Sequence, residues 1–126
     1  MADHVSVPFS PPRIAEEDIE AVVDVLRSGW ITTGPVSEAF ESRLAEFCDT
    51  EGVVLQSSCT AGLETLLRAA GVGPGDEVLV PAYTYTASAA AVLHAGAELV
   101  LVDNAPGEFT PSVGQFVEAV TSRTKA

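Results

Sequence analysis

The feature that most constrains this chain is an alternation of short apolar runs and longer segments of helical character that begins after Gly52. The apolar runs predict strands at Val53–Gln56, Glu77–Val80 and Glu98–Val102. The segments that follow them predict helices at Thr60–Ala70, Thr84–Ala95 and Ser112–Val120. Strands that are apolar on both faces and alternate with helices predict an α/β fold, with a mainly parallel sheet between layers of helices.

The sequence before Gly52 predicts an arm and two helices. Residues 1–13 are rich in proline and predict an extended N-terminal arm. Helices are predicted at Glu16–Ser28, with Gly29 as its stop, and from about Val36 to Cys48. We therefore expect an arm over residues 1–13 and one domain over residues 14–126. Because the chain ends where the alternation calls for a further strand, we expect this domain to be partial.

Composition excludes several classes of function. Apolar residues make up 47% of the chain and charged residues 19%, which is typical of a globular protein. The net charge of −12 argues against nucleic acid or an anionic membrane as a partner. The absence of a signal-peptide layout and of a long apolar run makes the cytoplasm the expected location. Cys48, Cys59, His4 and His94 form no metal-binding spacing, so no metal site is predicted.

The stretch QSSCTAG, Gln56 to Gly62, lies where a predicted strand turns into a predicted helix. Backbone amides at a helix N-terminus bind phosphate well, and Ser58 and Thr60 add hydroxyl donors. The same residues also serve as an ordinary helix cap. The stretch alone leaves both interpretations open.

Two further loops contain the tyrosines and the tryptophan of the chain. In PAYTYT, Tyr83 and Tyr85 are the only tyrosines, and such a residue either offers its face to a planar ligand or packs in the core. In SGWITTGP, Trp30 is the only tryptophan. That loop either binds a sugar through stacking and hydrogen bonds or is a helix connection pinned by Trp30.

Together and in this order, SGWITTGP, QSSCTAG, GPGDEVLVP, PAYTYT and SRTKA resemble the DegT-like sugar aminotransferases, which use pyridoxal 5′-phosphate (PLP) and have aminotransferase fold type I. The resemblance begins at about Val7 and implies the N-terminal part of such an enzyme, within its PLP-binding large domain. It implies that Ser58, Cys59, Thr60 and Ala61 grip the cofactor phosphate. It further implies that Tyr85 stacks on the pyridine ring, and that the nucleotide-sugar pocket is near a loop containing Trp30, Thr32 and Thr33.

The resemblance also implies an activity. The family moves an amino group, typically from glutamate, to a keto carbon of a nucleotide-linked sugar, and its members are homodimers. The lysine that bonds to PLP and the aspartate that pairs with its ring nitrogen lie beyond SRTKA in the family pattern. Lys125 and Asp103 match other positions, so no catalytic residue is assigned here, and we expect the 126 residues alone to be inactive. Cys59 departs from the glycine or alanine common at its position.

Two other hypotheses stay open at this point. One is a non-catalytic module that binds a phosphate-bearing ligand or associates with an aminotransferase subunit. The other is a flavodoxin-like domain that binds a different phosphate. The second leaves SGWITTGP and PAYTYT unexplained.

Overall fold

The computed structural model describes residues 9–126, so most of the predicted arm lies outside the described residues. Within them the chain divides into two compact units, one ending at Val54 and one running from Leu55 to Ala126. The helices and strands in chain order are α1 (Glu16–Ser28), α2 (Pro35–Phe47), α3 (Cys59–Ala69), β1 (Glu77–Pro81), α4 (Thr86–Ala95), β2 (Glu98–Val102) and α5 (Val113–Ala119).

The first unit contains α1 and α2, and both helices have local stop or start signals. The carboxylate of Asp18 accepts a hydrogen bond from the backbone amide of Ala15 at 2.8 Å, which satisfies one free donor at the start of α1. Gly29 ends α1 in the left-handed conformation, with φ of 74°. Pro35 occupies the first turn of α2, where its missing N–H costs nothing. The two helices predicted in this region are confirmed to within one residue.

The second unit is built on a parallel pair of strands joined by a helix. Glu77 of β1 lies opposite Glu98 of β2, and Pro81 lies opposite Val102. The crossover is α4, and it packs on both strands. Side chains from α4, the strands and their connections form a small apolar core, with Leu67 and Leu99 packed against its buried members Val72, Val78, Val80, Val92 and Ala97.

The last residues of the chain pair with β1 on the flank opposite β2. The amide of Glu77 donates to the carbonyl of Arg123, the amide of Lys125 donates to the carbonyl of Glu77, and the amide of Leu79 donates to the carbonyl of Ala126, each at 2.9 Å. The bridge between Glu77 and Thr124 is parallel. Residues 123–126 therefore extend the sheet at the point where the sequence pattern predicts another strand.

The strand predicted at Val53–Gln56 is not present in the described sheet. That sheet consists of β1 and β2, with the bridge at Thr124 on the free flank of β1. An apolar run indicates a tendency to be buried, but a strand exists only when its backbone forms a ladder with a neighbour. The segment instead spans the boundary between the two units, and Val54 is exposed.

Among residues 9–126, no helix combines the length and the apolar character needed to cross a membrane.

Candidate functional site

Helices α3 and α4 lie side by side and point in the same direction. Near their carboxyl ends, Arg68 Nη2 donates to the backbone carbonyl of His94 at 2.6 Å, and Glu64 Oε2 lies 3.2 Å from His94 Nδ1. Nearer the N-termini, Leu63 of α3 and Ser88 of α4 line the same cavity. Their N-termini therefore lie at the same end of the unit. Since α4 follows the carboxyl end of β1, this is the edge of the sheet where α/β proteins bind their ligands.

The N-terminus of α3 has two backbone amides without a protein acceptor. Ser58 is the N-cap: its Oγ accepts the amide of Ala61 at 3.1 Å, and its carbonyl accepts the amide of Gly62 at 3.0 Å. The amides of Cys59 and Thr60 have no acceptor among residues 9–126. Both are at the positive end of the helix dipole, so they favour an anion.

Two hydroxyls add to these amides. Ser58 Oγ accepts the cap hydrogen bond, which leaves its own proton free to be donated. Thr60 Oγ1 has no hydrogen-bond partner in the part of the chain that the structure describes. Three consecutive residues thus offer four donors and no carboxylate. Such a donor set fits the phosphate of PLP.

Cys59 and Ala61 contribute to this stretch in different ways. Cys59 is the first residue of α3 and its thiol is free and exposed. Its free amide, rather than its sulfur, is the group that suits an anion. The amide of Ala61 is already occupied by Ser58, so Ala61 provides a small side chain in the first turn and no free donor. The sequence places all four residues together, and the structure distinguishes which of them have donors to offer.

The two tyrosines differ in their surroundings. The ring of Tyr83 packs against Phe109, with centroids 5.8 Å apart and planes tilted by 44°. Tyr85 is 80% exposed and its ring has no aromatic partner among the described residues. It is the N-cap residue of α4, and its carbonyl accepts the amide of Ser88 at 3.0 Å. Tyr85 therefore presents an open ring at the end of the unit that also holds the α3 N-terminus.

The loop after β2 is tied to α5 by a contact that sequence patterns do not reveal. Gln115 Nε2 donates to the carbonyl of Asp103 at 2.8 Å, and the carboxylate of Asp103 accepts the amide of Asn104 at 2.8 Å. Asn104 Oδ1 is buried without a hydrogen-bond partner among residues 9–126. The carboxylate of Asp103 thus stabilises its own turn.

Trp30, Thr32 and Thr33 belong to the first unit, where their loop joins α1 to α2. The loop lines an open cavity of about 560 Å³ together with Val25 and Ser28 of α1 and residues 34–37. The indole Nε1 of Trp30 donates to the carbonyl of Thr33 at 3.0 Å. The hydroxyls of Thr32 and Thr33 have no intramolecular partner among the described residues, and both side chains are exposed. The cavity offers apolar surface with two free hydroxyls.

Lys125, the only lysine of the sequence, is at the other edge of the sheet. Its Nζ donates to the carbonyl of Gly71 at 2.7 Å and lies 3.4 Å from the carboxylate of Asp76. Both partners precede β1, so this contact is at the amino ends of the strands. Among residues 9–126, no cluster of three or more histidine, cysteine or acidic side chains is arranged to hold a metal ion.

Comparison with known proteins identifies the family. Residues 12–126 match the DegT/DnrJ/EryC1/StrS aminotransferase family. The chain belongs to this family. The predicted membership is therefore confirmed, and the match covers all five segments on which the resemblance rests.

Relatives in the family support the same assignment. The chain is 38% identical over 120 residues to the spore coat polysaccharide biosynthesis protein SpsC of Bacillus subtilis, covering 95% of this chain and 31% of that protein. It is 48% identical to Spr1654 of Streptococcus pneumoniae, assigned as a sugar aminotransferase and solved in PMP and PLP forms. The TM-score is 0.87 for both forms, with 95% of this chain covered and 30% or 31% of that one.

A third relative is the aminotransferase TlmJ of Streptoalloteichus hindustanus, which is 36% identical with a TM-score of 0.82, covering 90% of this chain and 31% of that one. The chain thus spans about a third of the length of these relatives. The α/β class, the parallel sheet and the likeness to a part of the aminotransferase large domain are confirmed.

Proposed function

We propose that these residues are part of a PLP-dependent sugar aminotransferase, which moves an amino group from an amino acid, glutamate, to a nucleotide-linked keto-sugar. The observation that carries the proposal is the set of free donors at the start of α3, in a chain of this family. When bound, PLP supplies the electron sink that lets an amino group leave one substrate and join another.

In this proposal, three residues hold the cofactor phosphate. Cys59 and Thr60 donate their free amides, and Ser58 and Thr60 donate their hydroxyls. Ala61 keeps the first turn of α3 narrow, so that the phosphate can approach the helix. The 126-residue chain has a net charge of −12, which disfavours an anion, and the dipole of α3 supplies local positive potential without a basic side chain.

Tyr85 is proposed to orient the cofactor ring. Its side chain is exposed, and its backbone is fixed as the N-cap of α4 at the same end of the unit as Ser58. A phenol ring held at one point of its backbone offers a flat face to a planar pyridine ring. Residues 14–126 are accordingly proposed to be a portion of the PLP-binding large domain, preceded by an arm over residues 1–13.

The loop around Trp30 is proposed to contact the nucleotide-sugar. Its support is the cavity beside it and the two free hydroxyls of Thr32 and Thr33, since hydroxyl donors and acceptors suit a polyol.

The enzyme is proposed to act in the cytoplasm as a homodimer, as family resemblance implies. We propose that the 126 residues alone do not catalyse transamination, because their only lysine, Lys125, is engaged with Gly71 and Asp76.

The proposed phosphate grip is tested by binding pyridoxamine 5′-phosphate, which has no aldehyde and so forms no bond with Lys125. We expect saturable binding by calorimetry, and no comparable binding of pyridoxamine without the phosphate. Thr60→Val removes a hydroxyl that has no intramolecular partner, so the helix should stay intact while affinity falls about tenfold. Ser42→Ala is the matched control, because the Ser42 hydroxyl lies in α2, where it donates to the carbonyl of Glu38 and is not part of the proposed phosphate site.

The alternative of a non-catalytic phosphate-binding module predicts the same grip but no sugar site. Equal binding of inorganic phosphate and pyridoxamine 5′-phosphate would favour that alternative, since the ring would then add nothing. Equal affinity of Thr60→Val and the unmodified chain would contradict the assigned grip.

A further inference from the structure

The loop between α1 and α2 is fixed by its tryptophan at two points. The backbone amide of Trp30 donates to Ser28 Oγ at 3.1 Å, and that hydroxyl donates to the carbonyl of Val25 at 2.7 Å. The indole Nε1 reaches forward to the carbonyl of Thr33 at 3.0 Å. Trp30 therefore connects the last turn of α1 with the residue that precedes the N-cap of α2.

The indole ring also lies directly against Gly34. A Cβ atom on Gly34 would be 2.3 Å from Trp30 Nε1 and 2.8 Å from Cδ1 and Cε2, distances that no side chain tolerates. Gly34 is extended, with φ of −179°, so the requirement for glycine comes from space and not from backbone strain. It is also the only residue between 9 and 54 that is buried. The five-membered ring thus covers Gly34 with one face.

These contacts leave Trp30 with little to offer a ligand except its second face. Its N–H is already donated to Thr33, and one face is closed by Gly34. The neighbouring Thr32 and Thr33 hydroxyls remain unpaired among the described residues and line the cavity. Trp30 as a whole is still 58% exposed, so an experiment has to distinguish positioning of the loop from stacking on a ligand.

We propose that Trp30 is a positioning residue for the nucleotide-sugar site: its indole, locked between the Thr33 carbonyl and Gly34, holds the turn so that the Thr32 and Thr33 hydroxyls contact the sugar. The inference rests on the proposed function, because it assumes that this cavity takes a nucleotide-sugar. It adds that Trp30 shapes the loop, whereas Thr32 and Thr33 contact the ligand.

The anchoring is tested without any ligand, because Trp30 is the only tryptophan and gives the single indole N–H signal in a ¹⁵N-labelled chain. Gly34→Ala should displace the ring, shift that signal and speed its hydrogen exchange about fivefold, as expected for loss of one hydrogen bond. Gly52→Ala, in the same unit, is the matched control because its new Cβ meets no atom within 4 Å. An indole signal unaffected by Gly34→Ala would overturn the anchoring.

The ligand role is tested by titrating UDP-glucose into the chain and its variants. Positioning predicts that Trp30→Phe and Gly34→Ala both weaken binding about fivefold. Each variant disturbs the contacts that hold the indole against Thr33 and Gly34, while an aromatic face remains. Stacking predicts that Trp30→Phe binds as the unmodified chain does and that only Trp30→Ala is weakened, and this outcome would overturn the inference. Absence of UDP-glucose binding by the unmodified chain would overturn the nucleotide-sugar assignment, while the indole measurement would still decide whether Trp30 anchors the loop.

Discussion

Arg123 donates through one guanidinium nitrogen to the buried carboxylate of Glu77 and through the other to Glu98 at 2.8 Å. Glu77 also accepts the hydroxyl of Thr121. Because Glu77 and Glu98 are partners in the register of β1 and β2, one guanidinium joins three parallel segments at their amino ends. A contact between residues 46 positions apart thereby fixes the register of the last segment on β1.

Glu77 and Glu98 provide a matched pair for testing this contact. Glu77 is 4% exposed and Glu98 is exposed, yet both face the same guanidinium. Glu77→Gln should lower the free energy of unfolding by about 2 kcal/mol. The substitution replaces a buried carboxylate, which accepts through both oxygens, by a neutral amide that has one accepting oxygen and one donating NH₂ group. Glu98→Gln should cost less than about 0.5 kcal/mol. Urea unfolding measures both, and equal losses would contradict the special role of Glu77.

Stability should depend on pH through Glu64. The hydrogen bond from Arg68, followed by that from His94, lowers the pKa of the Glu64 carboxyl against the opposing effect of desolvation. A lowered pKa in the folded state means that the stabilisation is present above the ordinary carboxyl pKa and is lost as the pH falls through the lowered value. Urea midpoints measured across that acidic range should fall less steeply in Glu64→Gln than in the unmodified chain. Superimposable profiles would show that the contact is without effect.

Substitutions in α4 should change the free energy of unfolding by amounts that depend strongly on their position in the helix. Val92 is 1% exposed and belongs to the core cluster, whereas its neighbour Leu93 is 61% exposed. Val92→Ala should destabilise the chain by about 2 kcal/mol through lost burial and a residual cavity. Leu93→Ala should change the free energy of unfolding by less than about 0.5 kcal/mol although it removes more atoms. The reverse order in thermal unfolding would mean that α4 packs with another face.

Lys125 should matter for stability and not for cofactor binding. Lys125→Met removes the hydrogen bond to Gly71 and the ion pair with Asp76 at the amino edge of the sheet. We expect a loss of no more than about 1 kcal/mol in urea unfolding. The affinity for pyridoxamine 5′-phosphate should stay unchanged, because the proposed grip is at the carboxyl edge. A weaker affinity in this variant would place the cofactor elsewhere.

Local patterns in the sequence predict most of the helices and the paired strands. Helix α1 and strand β2 have the predicted bounds, because acidic residues and Gly29 mark the helix and Gly96 and Asp103 flank the strand. The prediction fails at Val53–Gln56, where the apolar pattern is present but the described sheet supplies no ladder. Whether a strand forms is decided by its neighbour in space, which a local pattern does not contain.

The site could be predicted from the sequence only in part. The sequence places Ser58 at the start of a predicted helix, and the structure adds that its hydroxyl caps Ala61 while two neighbouring amides remain free. The close approach of Trp30 to Gly34 is invisible in the sequence, since it depends on how the turn folds back. The interaction of Gln115 with Asp103 spans 12 positions and needs α5 in place before it can form.

The pairing of residues 123–126 with β1 has a consequence for how the chain is made. Glu77 leaves the ribosome 46 residues ahead of Arg123, which at synthesis rates of ~5–20 residues per second is a delay of roughly 2–9 s. During that interval one flank of β1 has only solvent or other chains to pair with. The nascent protein therefore passes through a stage in which its central strand is a target for aggregation and for chaperones.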